Sequence, residues 1–450
     1  MIAPARVAAL DILMAVSTGH GDLPGAIALA RGTLHDDRDR ALAAEIATGV
    51  QRWRATLDYL IVSFARRSLD RLDPEIIEIL RLSAYQLLHL TRVPAAAVVD
   101  DAVDLAGRAG KRSAGGFVNA VLRTIARKRQ SLPLPPRPES ESRAAALDYF
   151  SLTLSHPRWL AARWYDRFGF DATERWLQFN NAQAPVTLRV NSLRTTREAL
   201  VDRLAALDVR VHPGRFAPGA LIVDEGQPLR GDLLAEGWFV VQDEASQLVA
   251  LLARARPGTR VLDTCASPGG KATAIAATLG ENGLLVACDV RGRRMSLLRN
   301  TVAASGATNI HLVQADLLQP LPFSTRFDCV ILDAPCSGLG TLRRDPDIRW
   351  RRTEADVNAF ASKQLAMLGQ AAQMVAPGGR LVYATCSSEP EENEAVADAF
   401  LQTAADFTSI DVRTEGTVPT GVVDGRGQLR TFPHLHGLEA FFGAVFERRR

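Results

Sequence analysis

Two thiols and an acid stand where nucleophilic chemistry beside a bound small molecule would need them. Asp333, Pro335 and Cys336 follow the apolar run 327–332, and Thr385 and Cys386 follow the run 380–383. Each run has the length and composition of a buried strand, so each delivers its cysteine to a strand's carboxyl end, where open α/β sheets keep their ligands. A third run ends at Asp263 and is followed by Thr264, Cys265, Ala266, Ser267, Pro268, Gly269, Gly270 and Lys271. One sheet edge thus gathers a glycine turn for a cofactor, an acid and two thiols.

The glycine turn fits neither common phosphate loop. A Walker loop needs a glycine where Cys265 stands and a hydroxyl where Ala272 stands, and a dinucleotide fingerprint needs more than the adjacent pair Gly269 and Gly270. What remains is a strand-to-helix turn whose backbone N–H groups face a ligand. Asp289 ends the next strand run, where an acid can bind ribose hydroxyls, and Asp316 ends the third, near an adenine edge. Three successive strand-end acids beside a glycine turn favour an adenosyl cofactor, with S-adenosylmethionine the best candidate.

The elements that position these residues follow from hydrophobic spacing. Residues 1 to about 130 keep helical periodicity, for instance at Val7, Leu10, Leu13 and Met14, and at Ile76, Ile77, Leu80 and Tyr85. The proline-rich segment 132–138 reads as a linker. Residues 140–237 carry mixed helical and extended patches and are expected to form a small α/β domain. From 238 onward, strand runs at 260–264, 284–289, 309–314, 327–333 and 380–385 alternate with helical patterns. That alternation predicts a parallel sheet with right-handed crossovers, and 441–446 reads as a last strand. The expected division is 1–132, 140–237 and 238–450.

Composition sets bounds. No stretch reaches the roughly 18 apolar residues of a membrane span. All five cysteines lie in the C-terminal half without CxxC spacing, which suits reduced cytoplasmic thiols and no disulfide framework. Cys288 and Cys329 sit inside strand runs as small hydrophobes. His434 and His436 are two apart on a strand-like stretch, but no neighbouring ligand set accompanies them, so no metal is expected. Net charge is +3, yet residues 1–137 hold 19 lysines and arginines against 14 acids. The excess marks Arg108, Lys111, Arg112, Arg123, Arg127, Lys128 and Arg129 as candidates for nucleic-acid backbone contact.

The strings DTCASPGGKAT, ILDAPCSGLGTLRRDPDIRW and LVYATCSSEPEENE resemble motifs of RNA cytosine-5 methyltransferases. Val93 to Asp100 and Gly116 to Arg123 are similar to a NusB-like RNA-binding domain. Together they resemble the RsmB (Sun/Fmu) family, bacterial 16S rRNA cytosine-5 methyltransferases with a NusB-like N-terminal domain. The resemblance implies an all-α NusB-like domain, a small α/β linker domain and a Rossmann-like class I methyltransferase domain. It implies that Cys265, Ala266, Ser267, Pro268, Gly269, Gly270 and Lys271 hold the methionine part of S-adenosylmethionine, Asp289 the ribose and Asp316 the adenine. It places Asp333 between cofactor and base, and Arg189 and Asn191 in a stretch at the RNA-facing domain junction.

C5 of cytosine is a poor nucleophile until a thiolate adds to C6, which splits one hard step into two. Protonating or hydrogen-bonding N3 favours that addition, a task for Asp333. Residue types alone leave both thiols eligible to attack. DNA enzymes use the Pro-Cys position, here Cys336, and the RNA family uses the Thr-Cys position, here Cys386. The resemblance therefore implies Cys386 as nucleophile and Cys336 as the residue assisting release. The expected substrate is 16S rRNA, unassembled or partly assembled. The alternatives are a transfer-RNA cytosine-5 methyltransferase, or a non-catalytic RNA-binding or ribosome-assembly factor, which would need no thiol pair.

Overall fold

The computed structural model describes residues 2–139 and 142–450, so the boundary expected at residue 140 lies outside the described residues. The chain divides into two compact units, Met1–Gln183 with Leu342–Arg352, and Ala184–Thr341 with Thr353–Arg450.

The first unit is helical, as its apolar spacing requires. It begins with α1 (Pro4–Ser17), α2 (Leu23–Thr33), α3 (Asp37–Arg52), α4 (Arg54–Ala65), α5 (Pro74–His89), α6 (Ala95–Arg108) and α7 (Gly115–Lys128). Leu10, Leu13, Ile46, Val50, Leu57, Ile79, Leu105, Leu122 and Ile125 lie in one core. Prolines open α1 and α5, where a missing N–H costs nothing, and the Asp22 carboxylate caps α2 by accepting from Gly25 N. Residues 132–138 are irregular, as their prolines dictate.

Residues 142–237 are divided between the two compact units at Gln183. The helical part, α8 (Arg143–Asp148), a π-helical turn (Tyr149–Thr153), α9 (Arg158–Phe168) and α10 (Phe170–Asn181), belongs to the first unit. The reason is polar docking onto α4. Thr56 Oγ1 donates to Leu152 O at 2.6 Å, and Ala55 N donates to Ser155 Oγ at 3.0 Å. Trp164 and Trp176 stack at 4.5 Å behind that contact.

In the second unit, β1 (Thr187–Val190), α11 (Arg197–Ala205), β2 (Arg210–Pro213), β3 (Ala220–Glu225) and β4 (Phe239–Val241) build an antiparallel sheet of order β2-β3-β1-β4. After α12 (Glu244–Leu251) comes the larger sheet. Its elements are β5 (Arg260–Asp263), α13 (Gly270–Ala276), β6 (Leu284–Asp289), α14 (Gly292–Ser305), β7 (Ile310–Gln314) and β8 (Phe327–Asp333). The short helix α15 (Ile348–Arg351) lies in the first unit, and α16 (Glu354–Gln373), β9 (Val375–Thr385), α17 (Glu394–Thr403), β10 (Phe407–Ile410), β11 (Leu429–Arg430) and β12 (Phe442–Arg448) follow.

The order is β10-β12-β9-β8-β5-β6-β7, with β5 to β9 parallel, β12 antiparallel beside β9, and β11 pairing with β12. Alternate residues face opposite cores: Ile331 and Val382 pack in one, Val330, Leu332 and Tyr383 in the other. Burial on both faces explains the near-continuous apolar runs. Chain order reverses between β5 and β8, and the carboxyl ends there frame a ligand crevice.

Between β8 and α16 the chain enters the first unit at Leu342–Arg352. The fully buried Arg349 guanidinium donates to Ser155 O at 3.1 Å, Asn181 Oδ1 at 3.0 Å and Leu342 O at 3.2 Å. Trp350 Nε1 donates to Gln51 O at 2.6 Å.

Candidate active site

Parallel pairing of β8 with β9 sets Asp333 opposite Ala384. Ala334 N donates to Ala384 O at 2.8 Å, and Gly340 N donates to Cys386 O at 3.0 Å. Gly340 must be glycine, because a Cβ there would meet Ala440 O at 2.0 Å. The two loops therefore run side by side and bring Cys336 Sγ to 3.1 Å from Cys386 Sγ. Its hydrogen bond to Cys386, then burial, push the Cys336 thiol well above its ordinary value. The raised pKa favours the thiol form of Cys336, and the hydrogen bond ties it to the Cys386 sulfur. The structure thus brings together both thiols expected from the sequence.

Asp333 faces Lys271, with Nζ and Oδ2 at 2.7 Å. Burial works to discharge this lysine, but the Asp333 carboxylate and its hydrogen bond outweigh burial, and the pKa rises. The Cys386 sulfur acts on the same ammonium in the same sense. Nearby, burial and then the Asp333 charge push Asp263 up to about 7. Asp263 Oδ1 is buried without a hydrogen-bond partner among the described residues. Cys288 and Cys329 are buried in their strands, and burial pushes each to about 12, which fits small hydrophobes.

The glycine turn is braced from behind. Gly269 has φ +110°, and a Cβ would fall 2.9 Å from Leu298 Cδ1. Ser267 Oγ donates to Arg294 O at 2.9 Å, and Arg294 returns bonds to Ser267 O at 2.7 Å and Asp289 Oδ2 at 3.0 Å. Asp289 is buried at the end of β6 and tied to the turn through that arginine. Asp316 is exposed two residues beyond β7, with Oδ1 accepting from Leu318 N at 3.0 Å. A turn with two adjacent glycines, an orphaned buried carboxylate oxygen and a second strand-end carboxylate fit an adenosyl cofactor.

Residues 3–127 match the NusB family, 156–230 a ferredoxin-like domain described as RsmF/B-like, and 250–447 the family described as 16S rRNA methyltransferase RsmB/F. The chain is 33% identical over 411 residues to a probable ribosomal RNA small subunit methyltransferase B of Bacillus subtilis, covering 90% of each chain. A second such protein, from Synechocystis, is 36% identical, with 91% of each chain covered. The chain belongs to the RsmB/F family. The crystal structure of PH0851 shares its fold, with a TM-score of 0.82 at 26% identity, 100% of this chain and 99% of that one being covered. As an RsmB/F protein it is an S-adenosylmethionine-dependent ribosomal RNA methyltransferase with a NusB all-helical domain, a ferredoxin-like domain and a methyltransferase sheet.

The basic candidates of this RsmB/F chain separate by exposure. Arg108, Arg112, Arg123, Arg127, Lys128 and Arg129 are exposed, whereas Lys111 is paired with Asp73 at 3.0 Å. Arg189 and Asn191 are buried, which removes them as surface RNA contacts. Arg189 donates to Gln242 Oε1 and Thr273 Oγ1, each at 2.8 Å, and Thr273 Oγ1 in turn donates to Gly269 O at 2.9 Å. Asn191 Nδ2 donates to Gly237 O and Ser305 O at 2.7 and 2.9 Å. Arg189 thus braces the turn through Thr273, and Asn191 ties the segment at Gly237 to the end of α14. His434 and His436 lie on a short helix, not a strand. Among the described residues no helix is long and apolar enough to cross a membrane, and no cluster of three ligating side chains occurs.

Sequence reasoning missed Glu392. Its buried carboxylate accepts from Ser337 N at 2.7 Å, Gln364 Nε2 at 3.1 Å, and the hydroxyls of Ser337 and Ser387 at 2.5 Å each. One signal was present: Cys336 and Cys386 are each followed by serine.

Proposed function

We propose that this chain methylates C5 of a cytidine in 16S rRNA through a covalent bond between Cys386 and C6. The observation that carries the reading is the 3.1 Å thiol pair in which Cys336 retains its proton. Two cysteines from separate strands have no structural need to meet, whereas a two-stage reaction uses one to attack and one to release. Cys386 attacks as a thiolate, its proton having passed to solvent, and the Sγ–C6 bond forms as the C5=C6 π bond opens and N3 gains a proton. Asp333 contacts N3, and the Lys271 ammonium 2.7 Å behind it is the reserve from which that proton comes. S-adenosylmethionine supplies an electrophilic methyl group. After C5 carries the methyl, its proton passes to a base, the Sγ–C6 bond breaks, and Cys336 assists the departure of Cys386. Stacked bases do not expose C6, so the target must be unpaired or flipped.

Residues 265–271 would hold the methionine part of the cofactor, Asp289 the ribose and Asp316 the adenine. Asp289→Ala should weaken S-adenosylmethionine binding by about 1.5–3 kcal/mol in calorimetry, the worth of a charged hydrogen bond. Unchanged affinity would remove the ribose assignment. The substrate is unassembled or partly assembled small-subunit RNA, and the site of action is the cytoplasm. The exposed arginines and lysine of α7 and its flanks supply backbone contacts. Combined Arg123→Glu, Arg127→Glu and Lys128→Glu should lower RNA affinity and flatten its salt dependence, by roughly 0.7 in log–log slope for each phosphate no longer neutralised. An unaltered slope in filter binding would locate the RNA anchor elsewhere.

Bisulfite sequencing of ribosomal RNA from a deletion strain tests the whole reading. One 16S cytidine should lose its C5 methyl and regain it on complementation. Loss confined to transfer RNA would favour the alternative substrate, and no loss at all would favour a non-catalytic factor.

A further inference from the structure

The loops carrying Cys336 and Cys386 leave adjacent strands, and past the strand ends the Gly340 N–H to Cys386 O bond joins their backbones while side chains complete the link. Glu392 spans both. Its Oε1 accepts from Ser337 N and Gln364 Nε2, and its Oε2 accepts from Ser337 Oγ and Ser387 Oγ. Four donors fill the four acceptor sites of an ionised carboxylate, so no proton is needed on Glu392. Burial raises its pKa above the ordinary carboxylate value, and the four hydrogen bonds oppose that rise without cancelling it. Gln364 Nε2 also donates to Pro335 O at 3.0 Å, beside Cys336, and the Tyr383 hydroxyl lies 2.5 Å from Glu392 O. Asn393 holds the other loop, donating through Nδ2 to Ser387 O at 3.0 Å.

We propose that Glu392 is a positioning residue that clamps Ser337 to Ser387 and thereby sets the distance between the two thiols. A neutral amide at this place has only one acceptor oxygen. Glu392→Gln would turn an NH₂ group toward donors that have nothing to receive it, and the loops would part. The role in methylation rests on the thiol mechanism proposed above, but the clamp itself does not.

The test therefore reads the thiols directly. Diamide oxidises two neighbouring thiols to a disulfide, its N=N bond taking up both electrons and both protons. In the full-length protein, diamide should join Cys336 to Cys386 quickly, as read by peptide mapping. Glu392→Gln should slow this joining at least tenfold and lower kcat at least tenfold, with KM for RNA and for S-adenosylmethionine within twofold. Ser387→Ala, which keeps the carboxylate and removes one of its bonds, should shift both rates in the same direction by less. It serves as the deciding variant if Glu392→Gln does not fold. An unchanged cross-linking rate in the folded variant overturns the clamp. Slowed cross-linking with normal kcat overturns its role in catalysis. Slowed cross-linking in a protein whose methylation survives Cys386→Ala keeps the clamp and instead sinks the thiol mechanism.

Discussion

Cys386→Ala should neither methylate RNA nor attach to it, whereas Cys336→Ala should methylate once and then remain covalently bound. The two outcomes follow from where each thiol acts. A nucleophile is needed before any methyl moves, and its removal should reduce turnover on the order of 10⁶-fold, as loss of a covalent nucleophile does elsewhere. A release group is needed only afterwards. Cys336 is held as a thiol by its hydrogen bond to Cys386 and by burial, which suits a group that acts late. Its stalled adduct should survive denaturing electrophoresis and should carry the methyl label when S-adenosylmethionine is labelled. The reverse pattern, with Cys336→Ala inert and Cys386→Ala trapped, would give the attack to Cys336 and align the chain with the DNA-type order.

Asp333→Asn should slow adduct formation by roughly 10²–10⁴-fold, the usual worth of a positioned acid–base group. The same change should also be visible at Lys271 without any RNA. In the intact protein burial pulls the lysine pKa down, and Asp333 more than reverses it. Without the carboxylate, burial acts unopposed by its strongest partner, so the lysine pKa falls. Acetic anhydride should then acylate Lys271 faster near pH 8 in Asp333→Asn than in the native protein, as counted by mass spectrometry. Equal acylation would mean that the 2.7 Å contact does not govern the lysine. Normal adduct formation would remove Asp333 from the N3 step.

The sequence by itself determined which strands end at the two thiols and the acids. The runs 284–289 and 327–333 coincide with β6 and β8 because both are buried on two faces and bounded by turn residues. Strand β9 starts at Val375, earlier than the run at 380, because Val375 pairs with Phe327 across a bulge that local composition does not mark. The identity of the thiols, the glycine turn and the strand-end acids was equally local, since each follows its strand within a few residues.

Only the tertiary structure decided what depends on partners far away in the chain. Arg189 reads as an RNA contact until Thr273 and Gln242, distant in sequence, are seen to take its donors. Segment Leu342–Arg352 follows the Cys336 loop directly yet belongs to the first unit, because Arg349 finds its carbonyls there. Glu392 lies in a run of acidic residues, and four donors from three separate segments make it a buried clamp. A sequence sets a residue's chemistry and its local face. Whether a charge is exposed or satisfied inside is set by which donors the fold brings to it, and that is a property of long-range packing.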